Sequence, residues 1–267
     1  MSPLRLLAVF PHPDDEALGL GPTLAKYAAE GVATYLVCAT RGERGWPGDP
    51  AQNPGLEALG RLREAELQAA ARVLGLREVA LLDYVDGDVG QAEPARIIAQ
   101  LVAQVRRVRP HVVITFAPDG AYGHPDHIAL SQFTTAALVC AADASYGDPQ
   151  APHRVSKFFY MVDARPMVEY LQQEFGFDIR MTIDGAEWNW VAWEDWAVTT
   201  RLDTADHRHT VVEAIRCHRS QLPSLGAMPD WPEAIQRRVW GHGTFYRAYS
   251  LASGGRRVET DLFEGLR

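Results

Sequence analysis

Short apolar runs alternate with amphipathic stretches over the first 160 residues, and this rhythm most constrains the fold of the chain. The first four runs show little polar alternation, which is typical of strands covered on both faces in a parallel sheet. The predicted strands lie at 6–10, 34–39, 79–82, 112–116, 155–162 and 198–202, and the predicted helices at about 17–30, 56–75, 92–108, 127–142 and 204–219. This order predicts an α/β, Rossmann-like fold with a mostly parallel sheet and helices on both faces.

The clearest helical pattern is the one at 56–75. Its predicted apolar face consists of Leu59, Leu62, Leu67, Ala70, Ala71 and Leu74. An apolar stripe of this width is typical of a helix that packs against a sheet or another helix.

The 267 residues are 47% hydrophobic, enough for a sizeable core, and they predict a single domain over 1–267. The composition changes at about 164–197, which we predict to be a Trp-rich insertion over or beside the sheet. Four of its residues are Trp188, Trp190, Trp193 and Trp196. These indoles form either a sugar-stacking lip or ordinary core and interface packing.

Charge and cysteine content exclude several classes of protein. A net charge of −8 argues against a nucleic-acid partner or a polybasic membrane contact. No apolar run approaches the roughly 20 residues that span a bilayer, and the apolar stretch near residue 1 is too short for a secretion signal. Cys38, Cys140 and Cys217 form no CxxC pair, so we expect a reducing, cytoplasmic location and no cysteine metal site.

Two polar motifs follow predicted strands. "PHPDDE" at 11–16 follows the first strand, and "GHPDH" at 123–127 follows the strand at 112–116. Adjacent carboxylates such as Asp14 and Asp15 are costly to bury unless a positive group, usually a metal ion, offsets them. If the two strands are neighbours, both motifs open onto one crevice at their carboxyl ends. Two histidines and a carboxylate then predict a hydrolytic zinc site, whereas a lone HPD is usually only a capped turn.

The residues of these two motifs also resemble the motifs of a known family. "PHPDDEALG" resembles the signature of the GlcNAc-PI de-N-acetylase family, also called LmbE-like or PIG-L deacetylases, and "YGHPDH" resembles its second motif. "LREAELQAAARVLG", the "VDGD" loop and, more loosely, "HRSQL" at 218–222 extend the match. The resemblance implies a Rossmann-like fold and a zinc-dependent hydrolase that removes acetyl or other acyl groups from amino sugars such as N-acetylglucosamine.

The resemblance also implies roles for individual residues. It implies that His12, Asp15 and His127 bind zinc, that Asp14 is the general base, and that His124 stands near the scissile carbonyl. This agrees with the chemistry of the residue types, because zinc lowers the pKa of a bound water to about 7 and a neighbouring carboxylate can take the proton.

Other residues are weaker candidates with two interpretations each. Arg63 contacts substrate or pairs with Glu66 three residues along its helix. Asp86 binds sugar hydroxyls or caps a turn, and Tyr122 donates to the oxyanion or is a packed aromatic.

Further residues near the motifs have supporting interpretations. Asp126 is predicted to orient an imidazole, and Glu16 to complement the dipole of the following helix. Loop residues that reach the crevice would be Arg41, Glu43, Arg44 and Trp46. Histidines expected at the surface or at helix ends are His207, His209, His218 and His242.

These observations predict a cytoplasmic zinc-dependent de-N-acylase whose partner is a small-molecule amino sugar or sugar conjugate. A zinc amidase of a larger thiol-sugar conjugate and a non-catalytic carbohydrate-binding protein on the same fold are the alternatives. A two-metal phosphoesterase would need more converging ligands than the two motifs supply. The resemblance also implies a homo-oligomer.

Overall fold

The computed structural model describes residues 3–177, 180–183, 185–252 and 257–267. The chain folds as two compact units, the first comprising Met1–Val89 and Asp203–Gly243, the second Gly90–Leu202 and Thr244–Arg267. Compact units of one chain can belong to one domain, so the single domain over 1–267 with an insertion at about 164–197 stays a prediction.

Every predicted strand and helix has a counterpart in the structure. In chain order the described elements are β1 (Arg5–Phe10), α1 (Asp15–Leu18), α2 (Gly21–Ala29), β2 (Ala33–Thr40), α3 (Leu56–Val73), β3 (Glu78–Tyr84), α4 (Pro94–Val108), β4 (Val112–Phe116), α5 (Gly120–Gly123), α6 (Pro125–Ala142), β5 (Lys157–Met161), α7 (Arg165–Phe175), β6 (Arg180–Ile183), β7 (Ala186–Asn189), β8 (Thr200–Asp203), α8 (Arg208–Cys217), α9 (Leu222–Leu225), α10 (Glu233–Trp240) and β9 (His242–Ser250). The elements that were not predicted are α5, α7, α9, α10, β6, β7 and β9. Helices α5 and α9 are only four residues long, too short for an apolar period to show.

The first unit contains parallel strands in the order β3-β2-β1. Leu7 of β1 aligns with Tyr35 of β2, and Val37 of β2 aligns with Ala80 of β3. β1 is buried continuously from residue 6 to residue 10. The absence of polar alternation in its sequence therefore correctly indicated a strand covered on both faces.

Helix α3 buries a mixed face. Leu59, Leu67 and Ala70 are buried as predicted, but Leu62 is 43% exposed. The buried face also carries Arg63 and Glu66, so it is rotated away from Leu62 towards two charged residues. Apolar periodicity alone does not reveal this, because it treats buried charged residues as surface.

The second unit has a mixed sheet segment in the order β4-β5-β9-β8. β4 and β5 are parallel, with Ile114 beside Phe159, whereas β9 runs antiparallel to β5. β6 and β7 form a separate antiparallel pair, and α4 packs against α6.

Parallel pairs joined by helices confirm the predicted α/β, Rossmann-like class with a mostly parallel sheet. Among the described helices, none has the length and apolar character needed to cross a membrane.

Candidate active site

The first motif begins at the carboxyl end of β1 and runs through a turn into α1. The backbone N–H of His12 donates to Asp15 Oδ2 at 2.9 Å, and His12 Nε2 lies 3.1 Å from Asp86 Oδ1. His12 and Asp86 are each only 8% exposed. Three of the predicted site residues therefore lie together within the first unit.

Asp14 has a backbone φ of 114°, which is unusual for a residue with a side chain. Such a conformation costs on the order of 1–3 kcal/mol and persists only where the surroundings fix it. The Asp14 N–H donates to Glu16 Oε2 at 2.9 Å, and the Asp14 carbonyl accepts from Ala17 and Leu18 at 2.9 Å. These hydrogen bonds hold the Asp14 backbone in this conformation.

Arg63 holds the Asp14 carboxylate. Its Nη2 atom lies 3.0 Å from Asp14 Oδ2 and donates to the Pro13 carbonyl at 2.5 Å, while Nη1 donates to the Gly42 carbonyl at 2.8 Å. A Cβ on Gly42 would stand 2.3 Å from the guanidinium, and Gly42 has a φ of +63°. Glycine at this position therefore lets the loop after β2 close over Arg63.

Burial raises the pKa of Asp14 to about 6, although the positive charge of Arg63 opposes the shift. A carboxylate with a pKa near 6 is ionised at neutral pH and is basic enough to accept a proton efficiently. Of the two interpretations of Arg63, the pairing with Glu66 on an exposed helix face is wrong, because Arg63 is buried against Asp14. Glu66 instead accepts the N–H and the hydroxyl of Ser220 at 2.8 and 2.6 Å.

Asp86 orients the first histidine of the motif. Burial alone would raise the pKa of Asp86, but the hydrogen bond and charge of His12, with the N–H of Arg44, lower it to about 2. The Asp86 N–H donates in turn to Glu43 Oε1 at 3.1 Å. A carboxylate that fixes an imidazole in this way is typical of the surroundings of metal-binding histidines. The sequence motif "VDGD" contained Asp86 but did not indicate this partner.

Glu16 and His218 form a buried pair that the sequence did not reveal. His218 was predicted at the surface or at a helix end; it stands at the end of α8, but it is buried, with only 1% exposed. His218 follows α8, and its Nε2 lies 2.6 Å from Glu16 Oε1. Burial alone would lower the pKa of His218, but the Glu16 carboxylate raises it. Glu16 thus does more than complement a helix dipole, since it joins the Asp14 N–H to His218.

The second motif lies in the second unit, where β4 leads into α6. His124 is the N-cap of α6, and its Nδ1 accepts the Asp126 N–H at 3.2 Å. His127, 1% exposed, stacks on Phe116 at 4.0 Å and on His124 at 4.7 Å between ring centroids. Tyr122 meets both histidines edge-on. This unit therefore gathers Tyr122, His124 and His127 in one aromatic cluster.

Other loop candidates make contacts with protein atoms. Arg41 pairs with Glu64 and Asp83, Arg44 pairs with Asp88, and the Trp46 indole N–H donates to the Asp49 carbonyl. Arg41, Arg44 and Trp46 therefore have structural roles in the loop after β2.

Comparison with known proteins reveals extensive similarity. A deacetylase of 1D-myo-inositol 2-acetamido-2-deoxy-α-D-glucopyranoside from Rhodococcus erythropolis is 36% identical, over 98% of this chain and 97% of the relative. A deacetylase with the same name from Kineococcus radiotolerans is 33% identical over 99% of this chain and 83% of the relative. The model of the PIG-L family, described as GlcNAc-PI de-N-acetylase, matches residues 7–138. The chain belongs to the PIG-L family.

Two further matches extend the comparison. A mycothiol S-conjugate amidase from Streptomyces coelicolor is 30% identical to this PIG-L protein over 99% of the chain and 98% of the relative. The crystal structure of the conserved protein TT1542 from Thermus thermophilus shares its fold, with a TM-score of 0.67, 27% identity and coverage of 94% of this chain and 97% of that one. The PIG-L protein is therefore a hydrolase of amide C–N bonds, like its deacetylase and amidase relatives.

Proposed function

We propose that this chain is a zinc-dependent N-deacetylase that removes the acetyl group from the amino group of a soluble sugar conjugate. The observation that carries the proposal is Asp14, a mostly buried carboxylate with a pKa of about 6. Arg63 and a strained backbone orient Asp14 beside His12 and Asp15. A binding protein without catalysis has no need to maintain such a base.

The proposed metal ligands are His12, Asp15 and His127. They offer two imidazole nitrogens and one carboxylate oxygen, a donor set that suits zinc and leaves room for water. The contact of Asp86 with His12 supports the assignment, because metal-binding histidines usually donate their second nitrogen to a carboxylate.

His124 is the other histidine of the second motif and offers the same type of ligand atom as His127. The Nδ1 atom of His124 already serves as the N-cap acceptor of α6, which favours His127 as the ligand. In the proposed assignment, Asp126 remains the residue that orients an imidazole.

Zinc, when bound, lowers the pKa of a coordinated water to about 7 and so supplies a nucleophile at neutral pH. Asp14 takes the proton of the attacking water as the C–O bond to the amide carbon forms. Arg63 keeps the Asp14 carboxylate oriented during the transfer. His124, with Tyr122 beside it, donates towards the carbonyl oxygen or the departing nitrogen. The C–N bond then breaks, which releases acetate and the free amine.

The proposed substrate is N-acetylglucosamine linked to a second polar group. It is supported by relatives named as deacetylases of an inositol-linked acetamido sugar. Arg63, Asp86 and Tyr122 are proposed to contact the sugar in addition to the contacts described above. Because a polar site rejects analogues that leave its buried groups unpaired, a free acetamide is expected to be a poor substrate.

The second candidate is an amidase that cleaves a larger thiol-sugar conjugate. The 30% identity to the mycothiol S-conjugate amidase over almost the whole chain favours it. The two candidates share the same residues and the same bond chemistry, and differ in the acyl group that leaves the amino sugar.

A panel assay of amine release tests the proposal. The zinc-loaded protein is assayed with three substrates: the inositol-linked acetamido sugar, methyl N-acetylglucosaminide, and a thiol-sugar amide whose thiol carries an S-linked group. Asp14→Asn is the matched inactive control. The proposal expects the highest kcat/KM for the inositol-linked sugar. A preference for the S-conjugate would establish the amidase instead, and no amine release from any of them would overturn both.

A cytoplasmic location, the absence of membrane and nucleic-acid partners, and a homo-oligomer stay predictions. The sparse cysteines support the first, the net charge of −8 supports the second, and the family resemblance supports the third.

A further inference from the structure

The Trp-rich segment, residues 186–196, is bonded to the loop that precedes His124. The Val191 N–H donates to the Ala121 carbonyl at 2.8 Å, and the Trp193 indole N–H donates to Asp119 Oδ2 at 2.7 Å. The Trp190 indole N–H donates to Asp163 Oδ2 at 2.7 Å. Asp119 follows β4 and Asp163 follows β5, so the segment is fixed at the carboxyl ends of two strands.

Trp188 lies directly against the residue before His124. A Cβ on Gly123 would stand 2.8 Å from Trp188 Cβ and 2.9 Å from Cε3, and Gly123 has a φ of +82°. Only glycine accommodates both this backbone conformation and the close approach of the indole. The sequence "YGHPDH" thus contains a glycine whose missing side chain makes room for Trp188.

Trp188 also keeps a large exposed surface. It is 44% exposed, whereas the indole N–H groups of Trp190 and Trp193 are bonded to buried or partly buried carboxylates. An indole held in place yet exposed next to His124 is suited to binding, because aromatic rings contribute large contact area at a low cost in conformational entropy.

We propose that Trp188 determines substrate specificity by stacking on the apolar face of the ring attached to the amino sugar. This inference rests on the proposed function. Pyranose and cyclitol rings present C–H groups on one face, and an indole covers such a face while their hydroxyls remain in contact with water. Trp188 therefore selects conjugates that carry a second ring over simple N-acetylglucosaminides.

The test compares two substrates across three variants. The inositol-linked acetamido sugar carries a second ring, and methyl N-acetylglucosaminide does not. We expect Trp188→Ala to raise KM for the first substrate about three- to tenfold, the scale of one lost aromatic contact, with kcat nearly unchanged. For the methyl glycoside, the KM of Trp188→Ala stays within about twofold of the wild-type value. For the inositol-linked sugar, Trp188→Phe has a KM close to that of the wild type. Trp196→Ala, at an 85% exposed position of the same segment, is the matched control and leaves both substrates unaffected.

Calorimetry on an Asp14→Asn background supplies a readout that needs no turnover. Adding Trp188→Ala is expected to weaken binding of the two-ring sugar by the same factor. Equal KM changes for both substrates, or a fall in kcat that Phe does not restore, would show that Trp188 only supports the loop and would overturn the inference. No amine release from either substrate by the wild-type protein would instead overturn the proposed function, and the inference with it.

Discussion

At the scale of single residues, the site depends on two carboxylates that are adjacent in sequence and differ in surroundings. Asp15 accepts the backbone N–H of His12, whereas Asp14 lies against the guanidinium of Arg63. The Asp14 backbone also has an unusual φ of 114°. Adjacent acids can therefore serve different roles, one as a metal ligand and the other as a base.

Replacement of Asp14 by Asn tests the role of the base. Asn keeps the shape of the side chain but cannot accept a proton at neutral pH, so we expect kcat to fall by about 10²–10⁴-fold. Metal content, measured by elemental analysis, should stay at the wild-type level. Asp230→Asn, at a side chain that is 77% exposed, is the control. Loss of the metal with normal turnover per remaining metal would mean that Asp14 and Asp15 have exchanged roles.

At the scale of elements, buried polar pairs join segments that are distant in sequence. The Glu16–His218 pair connects α1 to the end of α8, and the Glu66–Ser220 contact connects α3 to the following turn. A buried ion pair is costly to form, but removal of one partner leaves the other charged and without compensation.

Replacement of His218 by Ala is therefore expected to lower the free energy of unfolding by about 3–5 kcal/mol. Urea denaturation followed by circular dichroism measures the loss. His209, an exposed histidine in α8, gives the control variant His209→Ala, for which a change within about 0.5 kcal/mol is expected. If both variants are equally stable, the pair does not hold these helices together. The double variant Glu16→Gln with His218→Ala should recover part of the loss, because the unpaired charge is removed.

The contribution of Asp163, which accepts the indole N–H of Trp190, to the stability of the fold is expected to decrease as the pH rises. Burial raises the pKa of Asp163 above its ordinary value of 3.8, although the indole N–H of Trp190 opposes the shift. The folded state therefore holds the proton more tightly than the unfolded state. The contribution of Asp163 to stability is present below pH 3.8 and declines as the pH rises through the folded-state pKa.

Asp163→Asn removes this titration and keeps an acceptor for the indole. We expect the stability of the wild type relative to this variant to fall as the pH is raised from about 3.8 towards neutrality, and then to level off. Urea titrations across this range measure the difference. A difference that is constant with pH, or that grows, would contradict the raised pKa.

At the scale of the whole molecule, the proposed metal draws its ligands from both sequence motifs. One metal ion per chain is expected, and His127→Ala should lose it, whereas His242→Ala, at an exposed position, should retain it. Because a ligand that binds only the folded state stabilises it, a metal concentration 100-fold above Kd adds about 2.7 kcal/mol. Chelation should accordingly lower Tm. Full metal occupancy in His127→Ala would contradict the assignment.

Local patterns in the sequence were sufficient for six of the nine described strands, the main helices and the two motifs. Apolar runs without alternation indicated the parallel strands, and β1 is buried from residue 6 to residue 10 as they predicted. The two polar motifs follow β1 and β4 as the sequence indicated, and each of them runs into a helix, α1 or α6. The second half of the chain was harder, since β6, β7 and β9 lack a regular pattern and depend on their partners for pairing.

The sequence by itself determined which residue types stand at the strand ends, because periodicity and motif spacing are local properties. Only the tertiary structure decided their partners. Arg63 reaches Asp14 across 49 residues, and His218 reaches Glu16 across 202. The local sequence does not distinguish a buried arginine or histidine from an exposed one. The free-energy cost of burying its charge is offset by a side chain of opposite charge that is distant in sequence. That partner is found only when the chain has folded.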